Sequence, residues 1–211
     1  MQNTQLQQQR SNEWFYSRLG RFTGSQISRL LGVKGLGLTG QTYAFENSCE
    51  IVFGKDEEPQ YESFDMVRGN TLEPLAFRKF SELKEIDFIT TEKCSFFAYG
   101  QNAGASPDGI VGSEAVLEIK CPRPVKFFNL MAKGVEEIDK EYIAQMQMEM
   151  LCTNSKQAYF FNYIIFNGQE MWHEIIVPRD EAMIELIKIR IAEAVIIRDK
   201  FVIELQKNKQ F

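Results

Sequence analysis

Long apolar runs are missing from this 211-residue chain. Nowhere do about 18 apolar residues follow one another, which excludes a bilayer-spanning helix. The opening residues 1–10 are polar and lack the apolar block of a secretory leader, so the expected compartment is the cytosol. Histidine is nearly absent. His173 alone cannot build a His-rich metal site, and its place in the alternating run Trp172-His173-Glu174-Ile175 predicts an outward-facing strand residue. The four cysteines, Cys49, Cys94, Cys121 and Cys152, stand far apart with no Cys-x-x-Cys pair. Zinc ribbons and iron–sulfur clusters use closely spaced ligands, so buried free thiols are expected. Internal repeats and long low-complexity segments are also lacking.

A positive excess is missing too. Lys and Arg number 24 against 29 Asp and Glu, a net charge of −5. That argues against a chain that coats nucleic acid by bulk charge, but the distribution of charge matters more than its sum. Arg10, Arg18, Arg21, Arg29 and Lys34 fall in a segment whose only acid is Glu13, and Lys120, Arg123, Lys126 and Lys133 form a second cluster. Each cluster reads either as a solvated basic face or as the wall of a local channel. With 44% apolar and 25% charged residues, the chain suits a globular protein with a sizeable core, and its length suits one domain.

Residues 14–19 and 25–31 read as short amphipathic helices, with Thr23 as cap of the second. A glycine-rich loop spans 32–40. Thr39 is a candidate cap for a helix that Gly54 stops near Phe53. Residues 54–63 form an acidic loop, and a helix is expected from near Asn70 to Leu83. Short strands are expected at 87–91 and 95–99. Residues 104–122 read as two strands around a tight turn, ended by Pro122 and Pro124. Helices follow at 125–133 and 139–152. A hairpin at 158–166 and 170–177 turns at Asn167-Gly168. A long helix at 180–206 carries Ile184, Ile187, Ile191, Val195 and Val202 at helical spacing. This order gives a mixed α/β core with an added helical layer.

The stretch 104–122 carries the chemistry. A three-residue turn Gly112-Ser113-Glu114 pairs Val111 with Ala115, Gly109 with Leu117 and Asp108 with Glu118. Opposed residues share a face with Cβ atoms about 5 Å apart, and Lys120 lies on that face two positions past Glu118. Two adjacent carboxylates raise each other's pKa unless a cation separates them. Oxygen ligands suit a hard divalent ion such as Mg²⁺, and a lysine beside it can orient or help deprotonate a bound water. The set suits phosphodiester hydrolysis; a salt bridge on a surface hairpin is the plainer alternative. Gly35-Leu-Gly37-Leu-Thr-Gly40 imitates a nucleotide-binding loop, but a helix precedes it and Gln41 stands where a phosphate lysine belongs.

Ser106-Pro107-Asp108-Gly109 followed by Glu118-Ile119-Lys120-Cys121-Pro122 resembles the core of the PD-(D/E)XK nuclease superfamily, and more narrowly its lambda exonuclease and YqaJ-type viral recombinase branch. Three further segments resemble that branch: Trp14 to Ser25, with Arg18, Gly20 and Thr23; Gly69-Asn70-x-x-Glu73-Pro74-x-Ala76; and Tyr142-Ile-Ala-Gln145-Met-Gln147. The resemblance implies an α/β (α+β) restriction-endonuclease-like fold, a central mixed sheet flanked by helices. It implies one nuclease domain over 1–211, with its motifs in about 14–166 and a C-terminal hairpin and helix over 158–206.

By the same resemblance Asp108, Glu118 and the Ile119 carbonyl would ligate Mg²⁺, with Mn²⁺ able to substitute and two ions per site. Glu73 would add a carboxylate for a second ion or a bridging water, although Asn70-x-x-Glu73 also reads as a helix capping box. Lys120 would position the attacking water, and Gln145 would lie near that water or the scissile phosphate. Arg18, Thr23, Ser25 and Ser106 would hold a terminal 5′ phosphate, with Tyr142 also on the DNA. The implied reaction is 5′-to-3′ exonuclease digestion of linear duplex DNA to mononucleotides, leaving 3′ single strands. The implied partners are two further copies of the chain in a homotrimer ring and a single-strand annealing protein, in the cytoplasm of a bacterial host of a phage or prophage. Alternatives are a structure-selective endonuclease and a non-catalytic DNA-binding module on the same fold.

Overall fold

The computed structural model describes residues 11–54, 63–84, 88–89 and 96–209. Cys94 and most of the acidic loop expected at 54–63 lie outside the described residues, as does much of the two strands expected at 87–91 and 95–99. A five-stranded mixed sheet runs in the order β2 (Phe88–Ile89), β5 (Gly109–Val111), β6 (Ala115–Lys120), β7 (Gln157–Phe166), β8 (Gln169–Pro178). Within this sheet, among the described residues, only β6 and β7 pair in parallel. A smaller sheet has the order β1 (Phe22–Thr23), β4 (Ala103–Ala105), β3 (Phe97–Tyr99).

Strand β6 explains the layering. Its first five residues are all buried, as a central strand covered on both faces requires. Ala115, Leu117 and Ile119 face one way, packing with Phe161, Tyr163 and the Ala76 and Phe80 side chains of α3 (Phe64–Leu83). Val116 faces the other way, into a cluster with Leu130 of α4 (Pro124–Lys133) and Met146 and Met150 of α5 (Lys140–Thr153). Each such large side chain, fully buried, contributes about 1.5–3 kcal/mol. Period-two alternation therefore turns Glu118 toward α5. A third core joins the smaller sheet to α2 (Gly37–Phe53), α5 and α6 (Glu181–Asn208) through Phe22, Ile27, Ala44, Met148, Ile187 and Ile191.

The central hairpin has the expected register, with Val111 opposite Ala115 and Gly109 opposite Leu117. Gly112 takes φ +58°, which its missing side chain permits. Asn167 and Gly168, at φ +51° and +75°, turn β7 into β8. The long terminal helix is capped by Asp180, whose carboxylate accepts from Ala182 and Met183.

Several expectations need correction. Helix α3 starts six residues before Asn70, at Phe64, with the Ser63 hydroxyl accepting from the Met66 amide. Asn70 is thus interior and is not the cap of this helix. Pro74, which lacks an amide hydrogen for the ladder, stands on the helix's exposed side. Helix α2 begins at Gly37, so Thr39 lies within its first turn and is not its cap. Thr23 precedes a 3-10 helix, Gly24–Leu30, but makes no side-chain cap; its hydroxyl meets the Tyr43 hydroxyl at 3.3 Å instead. Residues 103–105 belong to the smaller sheet, so the first strand of the central hairpin starts only at Gly109. Cys49, Cys121 and Cys152 are free but half-buried. His173 is half-buried as well, opposite Asn162 on β7.

Candidate active site

The acidic centre forms where the β5–β6 hairpin begins. The Asp108 amide donates to the Leu117 carbonyl at 2.9 Å. The Ile119 amide donates to Asp108 Oδ2 at 2.7 Å. These two bonds hold the half-buried Asp108 side chain against β6. Glu118, one position before Ile119, is 1% exposed. Its Oε1 meets Lys120 Nζ at 2.5 Å, and its buried Oε2 has no hydrogen-bond partner. The Lys120 ammonium also lies 4.7 Å from the centre of the Tyr142 ring, a favourable cation–π placement.

Burial first, and then the charge of Glu118, push the Asp108 carboxyl well above its ordinary range; Glu73 pushes the same way and Lys120 opposes. For Lys120, burial pulls downward, but the Glu118 and Asp108 charges outweigh it and raise the ammonium above its ordinary value. Those two carboxylates thereby favour the ammonium form of Lys120. Glu73, Ile119, Lys120 and Tyr142 line a cleft of about 440 Å³, together with Arg123 and Lys126. Arg123 pairs with Asp65 at 2.9 Å and Lys126 with Asp139 at 2.9 Å, so that basic cluster is a partly neutralised cleft wall. Burial pushes the neighbouring Cys121 thiol up to about 12, leaving it un-ionised.

The donors present suit a hard divalent cation. They are carboxylate oxygens, one of them buried without a partner, and such an oxygen in a low-dielectric surround calls for positive charge. Among the described residues no three acidic, thiol or imidazole side chains cluster as a ready-made cation site. An ion here would rest on Asp108, Glu118 and a backbone carbonyl such as that of Ile119, and Glu73 acts on Asp108 through its charge.

Gln145 projects from α5, one turn beyond Tyr142, and its Nε2 donates to Glu149 Oε1 at 2.9 Å. Glu149 is a fourth acidic member that sequence reasoning missed. It is 1% exposed, and burial followed by the charge of Glu118 pushes its carboxyl well above the ordinary range. The available signal was a charge set between Met148 and Met150, in the stretch 146–150 where the helix is buried on every side. Gln147, on the other side of α5, is structural: it donates to the Pro178 carbonyl and accepts from the Asp180 amide.

A second cleft, of about 330 Å³, is lined by Arg18, Arg21, Thr23, Ser25 and Arg29 among others. The Arg18 guanidinium stacks 4.1 Å from the Trp14 ring centre and reaches Ser106 Oγ at 3.5 Å. Trp14 Nε1 donates to the same hydroxyl at 3.0 Å. Burial lowers the pKa of Arg18, the mark of a cation stripped of water with its counter-charges too distant to offset the loss. Arg29 is already held by Glu46 at 2.6 and 2.9 Å. The expected phosphate residues are thus brought together, with Ser106 behind Arg18 and Ser25 exposed at the rim. Ser106 precedes Asp108 by two residues, so one short loop ties this cleft to the acidic centre.

Two further residues, Glu50 and Arg198, escaped sequence reasoning. Gly20, at φ +66°, donates its amide to Glu50 Oε2 at 2.9 Å, and its carbonyl accepts from Arg198 Nη1 at 3.0 Å. A Cβ there would stand 2.3 Å from Ile51. Arg198 also donates to Asn102 Oδ1 at 2.8 Å. This clamp fixes the turn between Arg18 and Thr23 from α2 and α6, across a sequence separation no local signal reveals. The glycine loop expected at 32–40 is shorter than that, because Gly37 already opens α2; a 3-10 helix precedes it, which agrees with rejecting a phosphate loop after a strand.

A family model described as the YqaJ-like viral recombinase domain matches residues 13–156. An alkaline exonuclease from Laribacter hongkongensis, LHK-Exo, superposes with TM-score 0.81 at 26% identity, over 94% of this chain and 97% of that one. Its complex with dAMP matches with TM-score 0.81 at 25% identity, over 94% and 97%. A phage related exonuclease from Haemophilus somnus 129PT matches in fold, with TM-score 0.69 at 16% identity, over 88% and 96%. No curated protein matches the chain.

The raised carboxyl at Asp108 sets a pH dependence. The folded chain binds that proton more tightly than the unfolded chain does. Its contribution is therefore fully present below the ordinary carboxylate range and is lost as pH rises through the raised value. Asp108→Asn keeps an acceptor for the Ile119 amide and removes the charge. In chelator, its melting temperature should match wild type at about pH 4 and exceed it increasingly toward about pH 8. Thermal melts across that range check this; a gap that does not widen with pH contradicts the burial of charge at Asp108.

Proposed function

The chain belongs to the YqaJ-like viral recombinase family, and on that premise we propose that it is a DNA exonuclease, degrading linear duplex DNA in the 5′-to-3′ direction with Mg²⁺. The observation that carries this reading is the joining of two sites by the loop Ser106-Pro107-Asp108: a buried acidic centre with one lysine, and a stripped cationic pocket at Arg18. Similarity to LHK-Exo over nearly the whole chain supports the exonuclease class.

Asp108, Glu118 and the Ile119 carbonyl would hold the divalent cation, which supplies polarisation of the scissile phosphate and a more acidic attacking water when bound. Two such ions per site, and Mn²⁺ in place of Mg²⁺, belong to the same proposal, with Glu73 as the further carboxylate. Lys120, as its ammonium form, faces the charge that develops on the phosphoryl oxygens. Gln145 accepts a hydrogen bond from the water and aims its lone pair at phosphorus. Water oxygen then bonds to phosphorus, the bond from phosphorus to the 3′ oxygen of the terminal nucleotide breaks, and that oxygen leaves as a hydroxyl. A 5′-mononucleotide departs and the shortened strand carries a new 5′ phosphate. Arg18, with Thr23, Ser25 and Ser106, binds that group, since a guanidinium fork matches phosphate oxygens. Each cut thereby recreates the feature the pocket recognises. Tyr142 faces the DNA beside Lys120.

Assembly as a homotrimer ring around the duplex, and transfer of the 3′ single strand to a single-strand annealing protein in a bacterial cytoplasm, complete the proposal. They rest on the family resemblance. No described helix is long and apolar enough to cross a membrane.

Two experiments test the reading. Linear duplex with 5′-phosphorylated ends, incubated with protein and Mg²⁺, should yield mononucleotides while covalently closed circles survive. Lys120→Ala should lower turnover by about 10²–10³-fold with DNA binding retained, the scale of losing one preorganised electrostatic group. Nicked circles would point to an endonuclease, and binding without cleavage to a module that has lost catalysis. Separately, Arg18→Ala should reduce the preference for phosphorylated over hydroxyl ends by about tenfold or more, the scale of a charge-assisted hydrogen bond. An unchanged preference in a competition digest rejects the pocket.

A further inference from the structure

Helix α5 presents one face to β6 with Tyr142, Gln145 and Glu149 in line, at the i, i+3, i+7 spacing of a single stripe. Tyr142 meets Lys120, and Glu149 lies within the field of Glu118, Asp108 and Lys120. Gln145, between them, is thereby directed at the acidic centre. Glu149 itself sits where a packing residue belongs, between Met148 and Met150, both 0% exposed. Its Oε2 is buried without a hydrogen-bond partner, and no lysine or arginine pairs with it among the described residues. A carboxyl group so placed, charged or neutral, opposes folding. Its one hydrogen bond in return is from Gln145 Nε2, at 2.9 Å.

That bond decides which way the Gln145 amide faces. A side-chain amide has a donating end and an accepting end that are nearly equal in shape. An acceptor fixed one turn further along the helix captures the NH₂ end, which leaves Oε1 on the opposite side. The distinction matters chemically. A carbonyl accepts a hydrogen bond from the attacking water and leaves the water's lone pair free for phosphorus. An NH₂ group would donate to that lone pair and tie it up.

We propose that Glu149 is a positioning residue that holds the Gln145 amide with its carbonyl toward the attacking water. The assignment rests on the nuclease reading of this site. It accounts for a buried acid whose place in the fold a leucine or methionine would fill better.

The test compares wild type, Glu149→Gln, Glu149→Leu, Gln145→Leu and the Glu149→Leu/Gln145→Leu double variant in steady-state digestion of 5′-phosphorylated linear duplex, with a melting curve for each. Glu149→Gln keeps an acceptor for Nε2 and should stay within about threefold of wild type. Glu149→Leu should lower kcat on the order of 10- to 100-fold, with KM for DNA little changed and the melting temperature equal or raised. Gln145→Leu should lose a similar factor, and the double variant no more than the worse single. A Glu149→Leu protein of wild-type kcat overturns the proposal, as does one that melts lower or fails to fold, or a double variant whose loss is the product of the single losses. Loss of activity in Glu149→Gln equal to that in Glu149→Leu also overturns it, because the acceptor is then not what matters. A wild-type protein that leaves the duplex intact in Mg²⁺ instead defeats the nuclease reading itself, a distinct result.

Discussion

Two carboxylates and one ammonium share the mouth of a β-hairpin, and the placement of every neighbouring element follows from the cost of holding them there. Asp108 and Glu118 repel each other, and burial strengthens the repulsion because little water screens it. Lys120, bonded to Glu118 at 2.5 Å, offsets only part of it. Glu73 and Glu149 add charge of the same sign. A chain selected for stability alone would not gather these groups. Such clusters of mutually perturbed groups are a mark of functional sites, and here the imbalance is negative, as binding a divalent cation requires.

The fold spends its most rigid parts on this arrangement. Strand β6 is the centre of the five-stranded sheet, buried on both faces, so the positions of Glu118 and Lys120 are set by cores on two sides. Helix α5 packs across the opposite face, and Gln147 bolts its far side to the start of α6. The basic pocket is secured differently. Its turn at Gly20 is held by Glu50 and the buried Arg198, reaching from α2 and α6. The Ser106-Pro107-Asp108 loop then fixes the distance between pocket and acidic centre, the quantity that would set how much is removed at each cut.

The central hairpin was legible because its signals are local. Alternating apolar residues, a glycine in the turn and the Pro-bounded end leave one register, and that register places Asp108, Glu118 and Lys120 together. Helical spacing puts Tyr142 and Gln145 on one face of α5, but only the family resemblance pointed that face at the acidic centre. The N-terminal pocket was legible mainly through family resemblance, since Arg18, Thr23 and Ser25 are unremarkable as local sequence. Helix α3 was misjudged because Gly69 and Asn70 look like a boundary; tertiary packing of Leu72, Leu75, Ala76 and Phe80 carries the helix through them. Thr23 resembles a cap but serves Tyr43 instead. Glu149 and Arg198 were illegible for a common reason: a buried charge has meaning only through partners that the fold brings from elsewhere.

The central claim is that the β5–β6 hairpin is a cation centre poised over a phosphodiester. Anomalous diffraction from crystals soaked in Mn²⁺ addresses it without reference to any assay. The account requires a peak bonded by the carboxylates of Asp108 and Glu118 and by the carbonyl oxygen of Ile119. A soaked crystal in which Mn²⁺ binds elsewhere, or in which those two carboxylates point apart with no ion between them, contradicts it.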